Sequence, residues 1–99
     1  MVRSSYPPEY VRQLVEGYAA LVAASDTTHQ GLNVLVMLAD LDRALARLPT
    51  EYVEAVFWHG LVGLSQEEAA GVLQKSQQWV SKRYRLGLEE ITHFINGGD

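Results

Sequence analysis

The sequence predicts an all-α protein of about five helices, and three observations support this fold class. Apolar residues recur at steps of three and four along most of the chain, which is the spacing of one helical face. Prolines and capping residues divide these stretches at intervals typical of short helices. An alternation of period two, which would indicate β-strands, appears nowhere in the 99 residues.

The length and composition limit the function classes. From ninety-nine residues we expect one domain, or one small core with a helical extension, and not a multidomain enzyme. The absence of cysteine excludes disulfide scaffolds and thiolate chemistry. The net charge of −4, taken alone, is atypical of a DNA-binding domain.

The N-terminal half predicts two helices. The first follows Pro7 and Pro8, and its apolar face comprises Tyr10, Val11, Leu14, Val15, Tyr18, Leu21 and Val22. A polar break at residues 25–28 separates it from a second helix, whose apolar seam comprises Val34, Leu38, Leu41, Leu45 and Leu48. This pattern favours a helical hairpin over residues 1–48, with a homodimer contact through the same seam as the alternative.

A third helix is predicted after Pro49, which ends the second helix because proline cannot donate an interior backbone hydrogen bond. Thr50 is its predicted N-cap. Its predicted inward residues are Tyr52, Val53, Val56 and Phe57. Gly60 and Gly63 mark its end.

The last third of the chain predicts a helix-turn-helix. Ser65 and Glu68 have the spacing of a capping box, which begins a short fourth helix that ends near Leu73. Its predicted buried residues are Ala69, Val72 and Leu73. A tight turn over 74–76 follows, with Ser76 capping the last helix. The predicted inward face of that helix comprises Val80, Tyr84, Leu88, Ile91 and Ile95. We therefore expect a helix-turn-helix DNA-binding domain over residues 49–99.

The outward face of the last helix is polar and cationic. Residues 74–85 include four basic residues and no acidic one, inside a chain of net charge −4. Glutamine can read adenine edges, whereas arginine and lysine can hold guanine or phosphate. The predicted DNA-binding residues are Lys75, Gln77, Gln78, Ser81, Lys82, Arg83 and Arg85. The alternative interpretation of this face is an ordinary solvated helix surface.

Several segments together resemble region 4 of bacterial sigma factors. They are Leu48-Pro49, Glu54–Phe57, Gly63–Ala70 and Ser76–Arg83, within a resemblance that covers about residues 42–92. The resemblance implies that a recognition helix of about residues 77–88 reads a promoter element in the major groove. It also implies that a surface of the domain contacts the flap of RNA polymerase.

Four positions depart from that family. Gln74 and Lys75 replace the usual glycine and hydrophobe of the turn, so we expect a left-handed non-glycine residue there at a cost of about 1 kcal/mol. Ala69 replaces an isoleucine. Trp79 replaces a small or charged residue, and with Leu86 it predicts either a partner-binding strip or packing on the preceding helix.

We therefore predict a small sigma-like, sequence-specific DNA-binding transcription regulator from a phage or a bacterium. Its expected partners are double-stranded DNA, RNA polymerase and a second copy of the chain. One alternative is a protein-interaction module that binds RNA polymerase or a sigma factor without binding DNA. A helical oligomeric adaptor is the other.

Enzymatic chemistry is not expected. His29, His59 and His93 lie in different predicted helices at no metal-ligand spacing, and the glycines form no phosphate-binding loop. We expect no cofactor, no metal and no small-molecule substrate. The longest apolar stretch, Val34–Ala39, is far shorter than the roughly 20 residues that cross a bilayer, so we expect a soluble cytoplasmic protein.

Overall fold

A computed structural model describes residues 7–18, 20 and 28–97 of the chain, except the side chains of 28–35 and 37. Five helices and no β-strand lie in this part of the chain, which confirms the all-α prediction. They are α1 (Pro8–Glu16), α2 (Thr28–Ala46), α3 (Thr50–Ala55), which continues as a π-helical segment (Val56–Leu61), α4 (Gln66–Leu73) and α5 (Gln77–Ile95). None of these helices is long and apolar enough to cross a membrane.

The core is one cluster of buried side chains to which all five helices contribute. Helix α5 lies at its centre and packs on each of the others. The largest fully buried side chains are Val11, Val15, Leu41, Val56, Val80, Tyr84 and Ile91. Because burial of each aliphatic side chain among them contributes about 1.5–3 kcal/mol, this cluster holds the inner face of α5 in one orientation.

Helix α1 begins as its sequence predicts. Pro8 occupies the first helical position, where a missing N–H leaves no hydrogen bond unmade. Val11, Leu14 and Val15 are buried. The predicted apolar residues Leu21 and Val22, and residues 25–27 of the predicted polar break, lie outside the described residues. Thr28, the last residue of that predicted break, is the first residue of α2.

Both N-terminal helices are present, but among the described residues each packs more extensively on α5 than on the other. Helix α1 also packs on the π segment. The seam residues Leu38 and Leu41 are buried, and Leu45 and Leu48 pack against the same core. The seam of α2 therefore packs on the long apolar face of α5, where the sequence predicts the first helix or a second copy of the chain. The side chain of Val34, the first residue of the seam, lies outside the described part.

The connection between α2 and α3 is tight. The last turn of α2 closes with hydrogen bonds from the Arg47 and Leu48 amides to carbonyls three residues back. Pro49 is the N-cap of α3, and Thr50 is the first helical residue. The prediction that Thr50 caps this helix is therefore wrong by one position, because the extended backbone of Pro49 already makes the turn into the helix.

The predicted inward position of Phe57 is also wrong, since this side chain is 42% exposed. Within the π segment the amide of Val62 bonds the carbonyl of Phe57, five residues back. In this wider turn, the inner positions fall at Val56 and Gly60, both buried. A side chain at Gly60 would collide with Val15 and Tyr84, so the absence of a Cβ allows the close approach of α1, α5 and the π segment.

Candidate nucleic-acid interface

The first helix of the motif, α4, is capped as predicted. The Glu68 amide donates to Ser65 Oγ at 3.0 Å, and the Ser65 amide donates to Glu68 Oε1 at 2.9 Å. This reciprocal pair satisfies two amides that a helix N-terminus leaves without internal partners. It fixes where α4 begins relative to the π segment.

The turn between α4 and α5 contains the left-handed residue that the sequence predicts. Gln74 has φ of 57° and ψ of 45°. The Lys75 amide donates to the Ala70 carbonyl at 3.0 Å, and the Gln74 amide donates to the Gly71 carbonyl at 3.4 Å. These two bonds form a Schellman motif, which usually has glycine at the left-handed position. Ser76 Oγ then accepts from the Trp79 amide at 3.0 Å and caps α5, as predicted.

The two motif helices cross through small residues. Ala69 is fully buried and Ala70 is 7% exposed, and both belong to the core cluster that contains Val80. Leu73 packs against this cluster. Val72 is 51% exposed, so the prediction that it is buried is wrong. It lies about 100° around the helix from Leu73, away from the crossing.

The outward face of α5 consists of polar side chains. Gln77, Gln78, Ser81 and Lys82 are exposed, and among the described residues their side chains make no hydrogen bond or ion pair. An open depression lies beside this face and is lined by Gln66, Ser76, Gln77, Gln78 and Ser81. Sequence reasoning missed Gln66, although its place directly after the Ser65 cap makes it the first residue of α4.

The cationic side chains near this face differ in how firmly other residues hold them. The Arg85 side chain is 59% exposed and reaches Glu89 Oε2 at 3.3 Å, an exposed pair worth about 0.3–0.5 kcal/mol and easily exchanged for another anion. The Arg83 side chain is 26% exposed, and its Nε donates to Glu51 Oε1 at 3.4 Å. The guanidinium of Arg83 also lies 4.7 Å from the ring centre of Trp79. Arg83 is therefore turned towards α3, away from the outer face.

The family to which this chain belongs follows from a comparison with known protein families. The family model of sigma-70, region 4 matches residues 38–91, more than half of the chain. The chain belongs to the sigma-70 region 4 family. This helix-turn-helix family typically binds DNA and functions in transcription. Comparisons with curated proteins and with solved structures found no match.

The region 4 match does not follow the predicted domain boundary. It begins at Leu38 inside α2, whereas the predicted boundary lies between residues 48 and 49. Leu38 and Leu41 belong to the buried residues of α2. In this chain the C-terminal half of α2 is thus part of region 4, while α1 lies outside it. The division at residue 48 stays a prediction.

Trp79 and Leu86, predicted either as a partner-binding strip or as packing on the preceding helix, are only partly exposed. Trp79 is half-buried and packs against the core, and Leu86 is half-buried. The Nζ of Lys75 lies 5.4 Å from the Trp79 ring centre. The large apolar side chains that are exposed in the described part are Val36, Phe57, Val62 and Val72.

Helix α1, outside region 4, packs on the inner side of α5. Tyr84 Oη donates to Glu16 Oε2 at 2.7 Å, and the Arg12 guanidinium lies 3.6 Å from the same carboxylate oxygen. The ring of His59 meets the Tyr84 ring edge-on at 4.5 Å. Burial, and next the hydrogen bond to Glu16, raise the pKa of the Tyr84 hydroxyl above its ordinary value.

Histidines and carboxylates form no metal site among the described residues. His59 Nδ1 lies 2.7 Å from the Leu64 carbonyl oxygen, so this ring is held by the backbone of the loop before α4. His93 is exposed near the end of α5, and the side chain of His29 lies outside the described part.

Proposed function

We propose that this chain is a sequence-specific DNA-binding transcription regulator of region 4 type, with residues 77–88 as its recognition helix in the major groove. The observation that supports it best is the outer face of α5, where Gln77, Gln78, Ser81 and Lys82 are exposed without side-chain partners. Polar groups that are free in the unbound protein can exchange water for base edges and phosphates without breaking internal bonds.

The chemistry of this face suits a mixed base and phosphate contact. A glutamine amide can donate to and accept from adenine, as Gln77 and Gln78 would in the groove. Lys82 and Arg85 would neutralise phosphates on either side. Arg83, which is held by Glu51, contributes to this contact only if that ion pair opens.

The charge distribution supports a small, oriented contact. Residues 74–85 carry four of the eight basic residues of the chain and no acidic residue. The twelve acidic residues lie elsewhere, so they would repel DNA from the other surfaces. One helix reads only a few base pairs, and a homodimer on a palindromic operator would double the contact. Such a regulator works where bacterial DNA is, in the cytoplasm.

A second candidate function is a module that binds RNA polymerase or a sigma factor without touching DNA. The exposed Phe57 and Val62 favour it, because Phe57 on the π segment and Val62 directly after it lie one turn apart and offer apolar surface to a partner. This module would use a face that the DNA contact leaves free. It predicts co-purification with polymerase and no DNA binding even at low salt.

Fluorescence anisotropy with a random duplex pool at two salt concentrations, followed by sequencing of the retained fraction, tests the proposal. Enrichment of a motif is the expected result. The variant pair Lys82→Gln with Arg85→Gln should weaken binding about tenfold or more and lower the salt slope by roughly two, because each lost phosphate contact removes about one released counterion.

The matched control is Arg43→Gln with Arg47→Gln, which removes the same charge from the exposed end of α2. Its effect should stay within about twofold, since it acts only through the long-range field. Equal losses in the two double variants would contradict the proposed face. Absence of binding by the unaltered protein at low salt, together with capture of polymerase, would favour the second candidate.

A further inference from the structure

Trp79 lies between two cations at the start of the recognition helix. The Arg83 guanidinium carbon is 4.7 Å from the ring centre, and Lys75 Nζ is 5.4 Å from it. Both distances are within the roughly 6 Å over which an aromatic face attracts a cation. One cation precedes Trp79 by four residues and the other follows it by four, so the indole connects the turn to the second turn of α5.

The indole is a firm platform for these cations. Trp79 is half-buried against the core, and its backbone amide is held by the Ser76 cap at 3.0 Å. Lysine and arginine side chains lose much rotamer freedom when they bind a phosphate. A ring that already limits their motion lowers this loss, so a fixed indole can strengthen a phosphate contact that it does not itself make.

The two cations differ in what else holds them. Lys75 is exposed, and among the described residues no carboxylate pairs with it. Arg83 is 26% exposed and bonds Glu51 of α3 at 3.4 Å, across 32 residues of sequence. The free protein therefore presents one available cation on Trp79 and a second whose charge is compensated by a carboxylate.

We propose that Trp79 is a positioning residue that orients Lys75 and Arg83 for phosphates beside the major groove, and that Glu51 restrains Arg83 until DNA replaces it. The inference rests on the proposed DNA binding. It assigns Trp79 a role in the DNA contact and not in binding a protein partner. It also means that α3, through Glu51, affects the affinity for DNA.

Removal of the Glu51 carboxylate is expected to increase the affinity for DNA. A variant that merely fails to fold would lose affinity, so it could not give this result. Glu51→Gln should raise affinity for a labelled random duplex pool about threefold to tenfold and increase the salt slope by roughly one, as Arg83 becomes free to bind a phosphate. Glu54→Gln is the matched control, since it removes the same charge from the same helix. The control should change affinity by less than about twofold.

Variants at Trp79 test the platform. In the Glu51→Gln background, Trp79→Leu should abolish most of the gain, whereas Trp79→Phe, which keeps an aromatic face, should retain most of it. In the otherwise unaltered protein, Trp79→Leu combined with Lys75→Ala should weaken binding by less than the product of the two single effects. Urea denaturation of each variant measures stability separately.

Two results would overturn the inference while leaving DNA binding intact. One is an equal gain for Glu51→Gln and Glu54→Gln. The other is full retention of that gain in Trp79→Leu. A protein that binds no duplex in any of these variants, at any salt concentration, refutes the proposed function itself, and with it this inference.

Discussion

The two faces of α5 differ in almost every property although they share one backbone. The inner face is nearly dry, with Val80 and Ile91 fully buried and Tyr84 only 2% exposed. The outer face, with Gln78 and Lys82, is solvent-exposed, and these two side chains make no hydrogen bond or ion pair among the described residues. Neighbours in sequence therefore serve opposite purposes, and the orientation of the polar face depends on how firmly the apolar face is held.

The largest expected effect comes from the inner face. Ile91→Ala should lower the free energy of unfolding by about 2–5 kcal/mol, because it removes buried methylenes and leaves a cavity. Glu90→Ala, an exposed position next to it, should change it by less than about 0.5 kcal/mol. Urea denaturation measures both. Similar losses in the two variants would mean that the faces are not energetically distinct.

A smaller loss is expected where the π segment meets the inner face. In Gly60→Ala the new Cβ would lie 3.0 Å from Tyr84 Cε1 and even closer to Val15, so the overpacking should cost about 1–3 kcal/mol. Gly71→Ala is the matched control, because nothing lies within 4 Å of a Cβ there. That control should be stabilising by up to about 1 kcal/mol through helix propensity. Thermal unfolding of the two variants should shift in opposite directions.

The polar exception on the inner face is the Tyr84 hydroxyl. Tyr84→Phe should cost about 0.5–1.5 kcal/mol, the net contribution of one hydrogen bond. It should also change the response to alkali. Since the folded protein raises the pKa of Tyr84, this contribution is fully present below the unfolded value of about 10 and is lost as the pH rises above it.

Denaturation between neutral pH and pH about 11 checks this dependence. The unaltered protein should lose more stability over that range than Tyr84→Phe does. Parallel pH profiles for the two proteins would show that Tyr84 is not the group responsible, since every other ionisable side chain is present in both.

The smallest expected effect lies at the turn that leads into α5. Gln74→Gly should raise the free energy of unfolding by about 0.5–1 kcal/mol, because glycine adopts the left-handed conformation without a Cβ penalty. Gln13→Gly, in the right-handed backbone of α1, should instead be destabilising by about 1 kcal/mol. Affinity for DNA should stay unchanged in Gln74→Gly, and a large change would mean that the turn geometry itself sets the binding face.

The sequence predicts the features of this fold that depend on neighbouring residues. The Ser65 capping box and the Ser76 cap each follow from residue types within four positions of one another, and the left-handed Gln74 follows from the place of the turn in the region 4 resemblance. Their geometry is therefore decided locally, and the resemblance to region 4 rests on the same short segments. The exposed polar positions Gln78 and Lys82 follow from helical periodicity once Val80 is taken as inward.

Features that depend on distant residues escape sequence reasoning. The bond from Tyr84 to Glu16 spans 68 residues, and the pair of Arg83 with Glu51 spans 32. No local pattern reveals that Arg83 turns towards α3. The outward turn of Phe57 depends on the wider π turn, which the ordinary helical period does not predict.

The docking of α1 matters for how this domain is dissected. A recombinant fragment cut to the family match, 38–91, would lack Val11, Leu14 and Val15, which are buried in the intact chain. The surfaces of the π segment and α5 that α1 covers would then face water as a contiguous apolar patch, the kind of surface that drives self-association. The family match therefore does not include every residue of the folded core. We expect an expression fragment to stay monodisperse only if it also contains α1.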